Sequence, residues 1–387
     1  MEHTRSMTIL HVCLILLSVY YCVVVLGLAL GLRRVKFQKS TRLPLVSIVV
    51  AARDEEENIG TLLQRLTQQA YPSYEIIIVN DRSTDRTRDI IASYQQSHAN
   101  LKSVDITTLA GDMPAKKNAL ARGIASSKGE ILCFTDADCV PPPEWLAELV
   151  SAFDADVGLV AGYSPYDPSL LPQHPEKKGF LTSMFHSFLE YEEFKGTVWS
   201  AGAIGLRKGW LCTGRSLAYR KAVYEEVGGF EKIKHSISGD DDLFLQLVRR
   251  ETKWKIRYVT DPKSFVPTAP PATLRSLMQQ RARHFSAGRF FPPSMKLFFF
   301  LFHTANLLVF LAFLSVVLSV GGSLPVWTFA AKIVVDMVLF VSAAPIFSGW
   351  RFAPSFVLME ILYILYNAII GPLGFLKRFE WKPEPRT

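Results

Sequence analysis

Hydrophobic and polar positions divide the chain into three zones. An unbroken apolar run covers residues 9–32, a second apolar block covers 297–376, and the sequence between them is mixed and carries most of the charge. About 20 consecutive apolar residues are enough for a helix to cross the hydrocarbon core of a bilayer. The pattern therefore predicts an N-terminal transmembrane anchor in 1–33, a separate domain in 44–268, and a C-terminal transmembrane bundle of about three helices in 297–376.

The central zone alternates between short apolar runs and amphipathic stretches. The predicted strands are 45–52, 74–79, 101–106 and 131–134, and the predicted helices are 58–70, 83–96 and 115–126. Strands that alternate with helices build a parallel sheet, because each helix returns the chain to the same end of the sheet through a right-handed crossover. The zone is therefore predicted to be an α/β domain in which the carboxyl ends of the strands share one crevice.

Composition and charge narrow the class further. The 387 residues, 49% of them hydrophobic, are too many for one ordinary domain and too apolar for a wholly soluble protein. The formal charge of +8 is concentrated beside the apolar segments, which suits anionic lipid headgroups better than nucleic acid. The five cysteines show no paired spacing, which argues against a disulfide framework and against a zinc site.

The N-terminal apolar run is followed by a basic flank. The flank consists of Arg33, Arg34, Lys36, Lys39 and Arg42. The run is long and lacks a small-x-small cleavage site, which indicates an uncleaved anchor rather than a secretory signal. Because basic residues accumulate on the cytoplasmic side of membrane spans, we expect a multi-pass protein of the cell membrane with its central domain in the cytoplasm.

An acidic turn follows the fourth predicted strand. In the stretch KGEILCFTDADCVPPP, residues 128–143, Asp136 and Asp138 come directly after the strand and before a proline-bounded turn. Ligands bind at the carboxyl edge of open α/β sheets, and two carboxylates one residue apart on a turn can both reach a hard divalent cation. A cation held there would neutralise a diphosphate. The alternative is an ordinary solvated turn, since Asp-x-Asp is a frequent tripeptide.

Polar residues also end the first two strands. Arg53 to Glu55 follow the first strand, and Asp81 follows the second. Asp81 could accept a hydrogen bond from a base or a ribose hydroxyl, or it could be a structural aspartate at a helix start. Lys116 and Lys117 begin the third helix, where charge and helix N-terminus both favour phosphate and a solvated helix face is the alternative. No GxGxxG follows the first strand and no GxxxxGK[ST] occurs, which argues against a dinucleotide oxidoreductase and a P-loop NTPase.

Five sequence blocks carry a family resemblance. They are VSIVVAARDEEENI, IIIVNDRSTDRT, KKNALARGIASSKGEILCFTDAD, GRSLAYRKAVYEEVGGF and SGDDDLFLQL. In this order, over about residues 44–290, they resemble the family 2 glycosyltransferases, which are inverting nucleotide-sugar enzymes with the GT-A fold. The resemblance implies a Rossmann-like nucleotide-diphospho-sugar transferase domain flanked by transmembrane helices. It also implies a nucleotide-sugar donor, with UDP as the expected nucleotide, and a divalent cation, Mg²⁺ or Mn²⁺.

The same resemblance assigns the donor side of the site to residues near the strand ends. Those residues are Ala52, Arg53 and Glu55 for the nucleoside pocket, Asp81 for the base, Lys117 near the nucleotide, Asp136 for donor and metal, and Asp138 for the metal.

A second acidic group lies further along the chain. The family's later acidic motif, usually Glu-Asp, corresponds here to Asp240-Asp241 after Gly239, and the adjacent Asp242 leaves the register open by one residue. Inverting sugar transfer requires a general base that takes the proton of the acceptor hydroxyl. We predict Asp241 as this base, with Asp240 as the alternative register. Aspartates at a helix start also serve as ordinary caps.

A basic amphipathic helix is predicted in 272–290. Such a helix beside transmembrane segments lies in the membrane interface. Its core resembles the Gln-x-x-Arg-Trp motif of membrane family 2 synthases, with His284 in the place of tryptophan. By this resemblance Gln280 and Arg283 would act beside the diphosphate and the acceptor. Without it, arginines on such a helix are more often contacts to lipid headgroups. The missing tryptophan disfavours a processive enzyme.

The C-terminal apolar block is predicted to form three spans, 297–320, 325–347 and 352–376. With a cytoplasmic central domain, one anchor plus three spans places the tail cations Lys377, Arg378 and Lys382 outside, against the positive-inside rule. Either one segment is re-entrant, or the weak tail charge is overridden. Lys332 and Asp336, four residues apart in the middle span, are predicted to pair on a face turned into the bundle.

Together these patterns predict an inverting glycosyltransferase that moves a sugar from a nucleotide sugar to a lipid or lipid-linked acceptor at the cytoplasmic membrane face. Two alternatives remain open at this point. One is a processive polysaccharide synthase of the same family, and the other is a nucleotide-binding membrane transporter or scaffold without chemistry. Sugar-dependent release of a nucleoside diphosphate would distinguish an enzyme from a transporter.

Overall fold

The computed structural model describes residues 2–108, 111–171, 179–318 and 322–376. Its strands are β1 Val46–Ala52, β2 Tyr74–Asp81, β3 Leu101–Ile106, β4 Ile131–Phe134, β5 Val157–Ala161, β6 Leu217–Arg220 and β7 Lys255–Tyr258. Its α-helices are α1 Glu2–Leu32, α2 Ile59–Thr67, α3 Thr87–Ser97, α4 Ala115–Ala125, α5 Trp145–Ser151, α6 Phe180–Gly205, α7 Lys221–Glu226, α8 Asp242–Glu251, α9 Leu274–Ala287, α10 Pro293–Val317, α11 Leu324–Ala343 and α12 Phe356–Leu376.

The strands form one mixed sheet in the order β3-β2-β1-β4-β6-β5-β7. Strands β1 to β4 pair in parallel, with Val46 of β1 opposite Tyr74 of β2 and Ile131 of β4. Strand β6 runs antiparallel to its neighbours β4 and β5, and β7 is parallel to β5. The parallel strands are those predicted from the sequence, so the expected α/β class is confirmed. Their carboxyl ends lie at one edge of the sheet.

The central strands β1, β2 and β4 are buried on both faces. In β2 the side chains of Ile76, Ile77 and Ile78 are all inaccessible to solvent, and burying each contributes about 1.5–3 kcal/mol. Helix α4 packs closely on the sheet at Gly123, where an added Cβ would lie 2.5 Å from Val49 Cγ1. Burial on both faces explains why these strands are continuous apolar runs rather than alternating ones.

The long helix α6 is an element that the hydrophobic pattern did not predict. It packs along α1, and the two helices touch through their backbones at glycines. A Cβ added at Gly31 would lie 2.0 Å from the carbonyl oxygen of Gly202, and one added at Gly205 would lie 2.0 Å from the carbonyl oxygen of Gly31. Small residues allow membrane helices to approach this closely. The anchor helix is therefore packed into the body of the protein.

The segment after α1 is fastened to the central domain. Lys39 Nζ lies 2.6 Å from Glu148 Oε2 and 3.1 Å from Asp261 Oδ2. Arg42 Nη2 lies 3.5 Å from Glu130 Oε2. Exposed pairs of this kind contribute at most about 1 kcal/mol each, so they orient the linker more than they stabilise the fold. The far end of the predicted basic flank thus contacts protein carboxylates.

Among the described residues, four helical segments are long and apolar enough to cross a membrane. They are Thr8–Leu32, Pro293–Val317, Leu324–Ala343 and Gly349–Ile370, with mean hydropathies of 2.6, 2.2, 1.9 and 1.7. Their positions agree with the predicted anchor and the predicted C-terminal spans. The tail cations Lys377, Arg378 and Lys382 lie outside the described residues, so the direction in which the helices cross a membrane stays a prediction.

Helix α9 forms where the basic amphipathic helix is predicted. Thr273 Oγ1 accepts a hydrogen bond from Ser276 N at 3.1 Å, and Ser276 Oγ accepts one from Thr273 N at 3.1 Å. Such reciprocal capping satisfies two backbone amides at the helix start and stabilises it by about 1 kcal/mol. Leu277 is buried against Tyr366 and Ile370 of α12. Helix α9 therefore joins the central domain to the membrane helices.

Candidate active site

A pocket opens at the carboxyl edge of the parallel strands. Its lining comes from β1, the start of α4, the turn after β4, the segment around β6 and the turn before α8: Ala51, Lys116, Leu120, Phe134, Thr135, Asp136, Gly214, Leu217, Tyr219 and Asp240. Segments far apart in the sequence thus meet at the edge of the sheet where ligands are expected in this class of fold.

Lys116 lies between two carboxylates of this pocket. Its Nζ is 2.9 Å from Asp136 Oδ1 and 3.2 Å from Asp240 Oδ2. Burial opposes the charged ammonium form, but the two carboxylates outweigh burial and raise the Lys116 pKa above its ordinary value. Lys116 is therefore a fixed positive charge where the acidic turn after β4 meets the acidic turn before α8.

The acidic turn after β4 has an uneven charge balance. Burial would raise the pKa of Asp136, but nearby cations hold it below its ordinary value. Those cations are Lys116, Arg215 and Arg283. The pKa of Asp138 is raised instead, first by burial and then by the neighbouring Asp136 carboxylate. The Asp138 side of the turn therefore favours an additional cation.

These carboxylates fit a metal that is shared with a phosphate group. Across the described residues, no group of three or more His, Cys, Asp or Glu side chains is placed to hold a metal ion. Mg²⁺ in proteins is often held by only one or two carboxylates, with phosphate oxygens and water completing its octahedral shell. Asp136 and Asp138 are hard oxygen ligands of that kind. The donor set thus fits a divalent cation bound together with a diphosphate.

The consecutive aspartates before α8 have different surroundings. Asp241 Oδ1 accepts a hydrogen bond from Asp242 N at 2.7 Å, and its Oδ2 accepts one from Gly214 N at 2.9 Å. Asp242 Oδ1 accepts one from Cys212 N at 2.7 Å. Asp240, the alternative register, therefore lines the pocket, whereas the carboxylate of Asp241, our first choice from the sequence, is held by backbone amides.

Lys117 does not face the pocket, although it was predicted to lie near the nucleotide. It is completely buried, and its Nζ donates to the carbonyl oxygens of Ser236 and Ser238. Burial lowers the Lys117 pKa to about 8. Adjacent residues of a helix project about 100° apart, so with Lys116 in the pocket its neighbour points away. Lys117 instead supports the turn that carries Asp240.

The turn after β1 is fastened to the turn after β2. Asp54 N donates to Ser83 Oγ at 3.0 Å, and Glu55 N donates to Thr87 Oγ1 at 2.8 Å. Asp54 has a φ of 51°, in the left-handed region that aspartate adopts more readily than most residues. The two turns are thus held together at the edge of the sheet where β4 also ends, and the predicted residues 52–55 lie at that edge.

Asp81 ends β2 and is completely buried. Its Oδ1 accepts a hydrogen bond from Arg82 Nε at 2.8 Å. Arg53 is also buried, and Ala52 closes β1. The structure thus brings the residues predicted for the nucleoside to the same edge as Asp136, and it shows the Asp81 carboxylate engaged by an arginine.

Helix α9 brings polar residues towards the same crevice. Gln280 Oε1 accepts a hydrogen bond from Tyr166 OH at 3.1 Å. Arg283 is close enough to Asp136 to help lower its pKa, so this predicted residue lies near the acidic turn. Arg281, between them in the sequence, is buried and forms an ion pair with α6.

Arg215 is a residue of the site that the sequence reasoning missed. Its Nη2 lies 2.7 Å from Glu193 Oε1, and its guanidinium carbon lies 5.2 Å from the centre of the Tyr166 ring. Its charge acts on both Asp136 and Asp138. The available signal was its position in the block GRSLAYR, but its acidic partner is 22 residues away in the sequence.

Comparisons with known proteins agree with this geometry. Residues 47–225 match the model of glycosyl transferase family 2. The solved mannosyltransferase PcManGT from Pyrobaculum calidifontis, in complex with GDP-Man and Mn²⁺, superimposes with a TM-score of 0.52 at 20% identity, over 93% of this chain and 99% of that chain. At this level of identity the likeness shows a shared fold, that of the GT-A glycosyltransferases.

Sequence relatives lead to the same family. Glycosyltransferase AglE of Haloferax volcanii is 29% identical over 205 residues, which are 52% of this chain and 60% of the relative. Beta-monoglucosyldiacylglycerol synthase of Synechocystis sp. is 38% identical over 112 residues, 28% of this chain and 23% of the relative. The chain thus spans only part of the length of the relatives it matches. Residues 47–225 match glycosyltransferase family 2, the family that the sequence resemblance indicates.

Proposed function

We propose that the protein is an inverting glycosyltransferase that moves a sugar from a nucleotide sugar to a lipid or lipid-linked acceptor at the cytoplasmic face of the cell membrane. The observation that carries the proposal is the meeting of Asp136 and Asp240 at Lys116, in a pocket at the carboxyl edge of the sheet. Inverting transfer needs support for the leaving diphosphate and a base for the acceptor hydroxyl. The pocket offers acidic residues from two separate turns for these two tasks.

The donor would bind across the strand ends. The nucleoside would lie against residues 52–55 and Asp81, and the diphosphate would lie beside Asp136 and Asp138. A divalent cation, Mg²⁺ or Mn²⁺, would be held by these two aspartates and would offset the negative charge of the diphosphate. Lys116 supplies a further positive charge from the protein. The complex of PcManGT with GDP-Man and Mn²⁺ supports a nucleotide sugar and a cation in this fold, and UDP remains our expectation for the nucleotide.

Asp240 is the proposed general base. It faces the pocket, whereas both carboxylate oxygens of Asp241 accept hydrogen bonds from backbone amides. When the acceptor oxygen bonds to the sugar carbon, its proton passes to an Asp240 carboxylate oxygen and the bond between the sugar and the diphosphate breaks. Arg283 and Gln280 of α9 would lie on the side from which the acceptor approaches.

The acceptor would come from the membrane. Helix α9 places Arg283 near Asp136 while Leu277 packs against α12, so the crevice and the membrane helices are one helix apart. The name of the Synechocystis relative, beta-monoglucosyldiacylglycerol synthase, supports a lipid acceptor. Four segments within the described part of the chain are able to span a membrane, which supports a multi-pass protein.

The test supplies full-length protein, in its membranes, with a panel of labelled UDP-sugars and GDP-sugars. Nucleoside diphosphate release and the masses of the extracted lipids are measured together. We expect one donor to give release and one lipid species to gain a single sugar, with neither change in membranes that carry Asp240→Asn. A long saccharide product would indicate the processive alternative. Failure of every donor to give sugar-dependent release would contradict the proposal.

A further inference from the structure

A second charged cluster is buried among the helices of the membrane region. The membrane charge cluster, as we name it, consists of Lys195 of α6, Lys332 and Asp336 of α11, and Glu360 of α12. Lys195 Nζ lies 2.6 Å from Glu360 Oε1, and Lys332 Nζ lies 2.5 Å from Asp336 Oδ2 and 3.7 Å from Glu360 Oε2. The predicted pairing of Lys332 with Asp336 is confirmed. All members are at most 8% exposed, so the cluster is closed to solvent.

Two tyrosines complete the cluster. Tyr21 OH of α1 donates to Asp336 Oδ1 at 2.7 Å, and Tyr191 OH of α6 donates to Glu360. The lysines and carboxylates balance in charge. Buried ion pairs of this kind add little stability over apolar residues of similar volume, but removal of one partner leaves an uncompensated charge. What the cluster supplies is therefore a fixed arrangement of α1, α6, α11 and α12.

The same stretch of α6 holds two arginines near the active site. Glu193 Oε1 lies 2.7 Å from Arg215 Nη2, and Glu192 forms an ion pair with Arg281. Both glutamates lie within one helical turn of the α6 residues that contact the membrane charge cluster. Positions four apart share one face of a helix, and the positions between them point elsewhere, about 100° per residue. One turn of α6 thus contacts the cluster on one side and the arginines on another.

We propose that Glu360 is a positioning residue for sugar transfer, acting through α6 on Arg215 and Arg281, an inference that rests on the proposed function of the site. Glu360 holds Lys195 and Tyr191, which fixes the rotation of α6 about its axis. That rotation sets where α6 presents its glutamates, and therefore where the two arginines stand beside the crevice. A displacement of about 1 Å in such groups can lower a rate by about a hundredfold.

The test uses full-length protein in lipid nanodiscs and measures nucleoside diphosphate release. Glu360→Lys places a charge of the wrong sign in the cluster, whereas Lys195→Glu combined with Glu360→Lys restores both the balance and the contact between α6 and α12. We expect the single substitution to lower kcat by about ten- to a hundredfold, with a smaller change in the donor KM. We expect the reversed pair to recover part of that loss, because it restores the ion pair between α6 and α12 but places an ammonium group near Lys332 and leaves Tyr191 without its acceptor.

A milder variant and a matched control keep the test decisive if the reversed charge prevents folding. Glu360→Gln removes the charge and keeps the shape. Phe329→Ala removes a buried ring of α11 whose centre lies 4.3 Å from the centre of the Phe313 ring. This ring belongs to a separate apolar cluster. Hydrogen–deuterium exchange gives a readout that needs no activity. Each variant is measured at the same number of degrees below its own melting temperature. We expect faster exchange in α6 and α9 for Glu360→Gln than for the wild-type protein, and no such increase for Phe329→Ala.

Three results would overturn the proposal. The first is a wild-type kcat and unchanged α6 exchange in folded Glu360→Gln. The second is a decrease in the kcat of Glu360→Gln that is no larger than the decrease in Phe329→Ala. The third is a folded reversed pair that is as impaired as Glu360→Lys alone. If the wild-type protein releases no nucleoside diphosphate with any donor, the proposed function fails, and the exchange comparison still decides whether Glu360 fixes α6.

Discussion

The pocket charge cluster, formed by Lys116, Asp136 and Asp240, and the membrane charge cluster contain the same chemical groups in different surroundings. In the pocket the side chains of these residues are 25%, 36% and 10% exposed. In the membrane charge cluster Lys195 is 8% exposed and the other members are at most 2% exposed. In the pocket one ammonium group faces two carboxylates, whereas in the membrane region positive and negative charges balance.

Because of this difference, the side chains of the pocket charge cluster can exchange one ionic partner for another, whereas those of the membrane charge cluster cannot. In a partly exposed cluster whose charges do not balance, a metal ion or a phosphate can replace the contact to the lysine. The released charge then remains in contact with water. A closed, balanced cluster cannot lose a member without leaving an uncompensated buried charge. Exposure and charge balance therefore distinguish the site from the scaffold more clearly than the presence of buried carboxylates does.

The largest effect is expected from removal of divalent cations. Excess EDTA should abolish sugar transfer, and Mn²⁺ or Mg²⁺ should restore it, because Asp136 and Asp138 would hold the diphosphate only through a cation. Nucleoside diphosphate release measures this. The melting temperature without donor should not change, since the membrane charge cluster needs no metal. Full transfer in excess EDTA would remove the metal assignment.

The next effect concerns the base. Asp240→Asn keeps the shape of the side chain but removes its basicity, so turnover should fall by about a hundredfold or more while donor binding survives. Asp241→Asn is the control, because it should mainly weaken one backbone contact, at about 1 kcal/mol of stability. Turnover and nucleotide binding are measured for both variants. The reverse result, with only Asp241→Asn inactive, would restore our first choice from the sequence.

A smaller effect is expected on α9. Arg283→Ala should raise the activation free energy by about 2 kcal/mol, because it removes a preorganised cation beside the leaving diphosphate. Arg275→Ala changes an exposed arginine of the same helix and should alter only headgroup attraction, by about 1 kcal/mol. Turnover in nanodiscs compares the two variants. Equal and small losses would make α9 a membrane contact without a role in transfer.

The smallest effect on activity is expected from a paired change within α11. Lys332→Met combined with Asp336→Leu removes one charge of each sign and keeps the contact between Lys195 and Glu360. Activity should stay within about threefold of wild type, and stability should fall by only about 1–3 kcal/mol, because Tyr21 OH loses its acceptor. Lys332→Met alone should destabilise by about 3–5 kcal/mol. Thermal unfolding and turnover measure this. A large loss of turnover in the paired variant would mean that the membrane charge cluster takes part in the reaction itself.

The parallel half of the domain could be predicted from the sequence, and the membrane-facing half could be predicted only in part. Strands β3 and β4 begin and end where the sequence predicts. Both strands are bounded by polar turns, so local signals define them. Helix α6 has apolar side chains around most of its circumference, because it packs against α1 on one side and against the domain on another. It therefore lacks the one-sided periodicity by which a helix is recognised.

At two places the sequence left open which of two neighbouring residues faces the pocket, and the sequence reasoning did not identify Arg215. For Lys116 and Lys117, and for Asp240 and Asp241, the sequence shows that charge lies at a helix start. Which neighbour faces the pocket depends on how the helix is rotated by distant packing. The pairs that hold Arg215 and Arg281 join residues 22 and 89 positions apart. No local pattern reports such contacts.

The backbone contact of Gly31 with Gly202 limits how this protein can be re-engineered. A borrowed anchor from an unrelated membrane protein would bring a side chain to position 31, and even a methyl group there would meet the carbonyl oxygen of Gly202. Chimeras should therefore keep the last turns of α1 and exchange only the opposite end of the helix. Affinity tags are best attached at that opposite end too, where they leave the glycine contact intact.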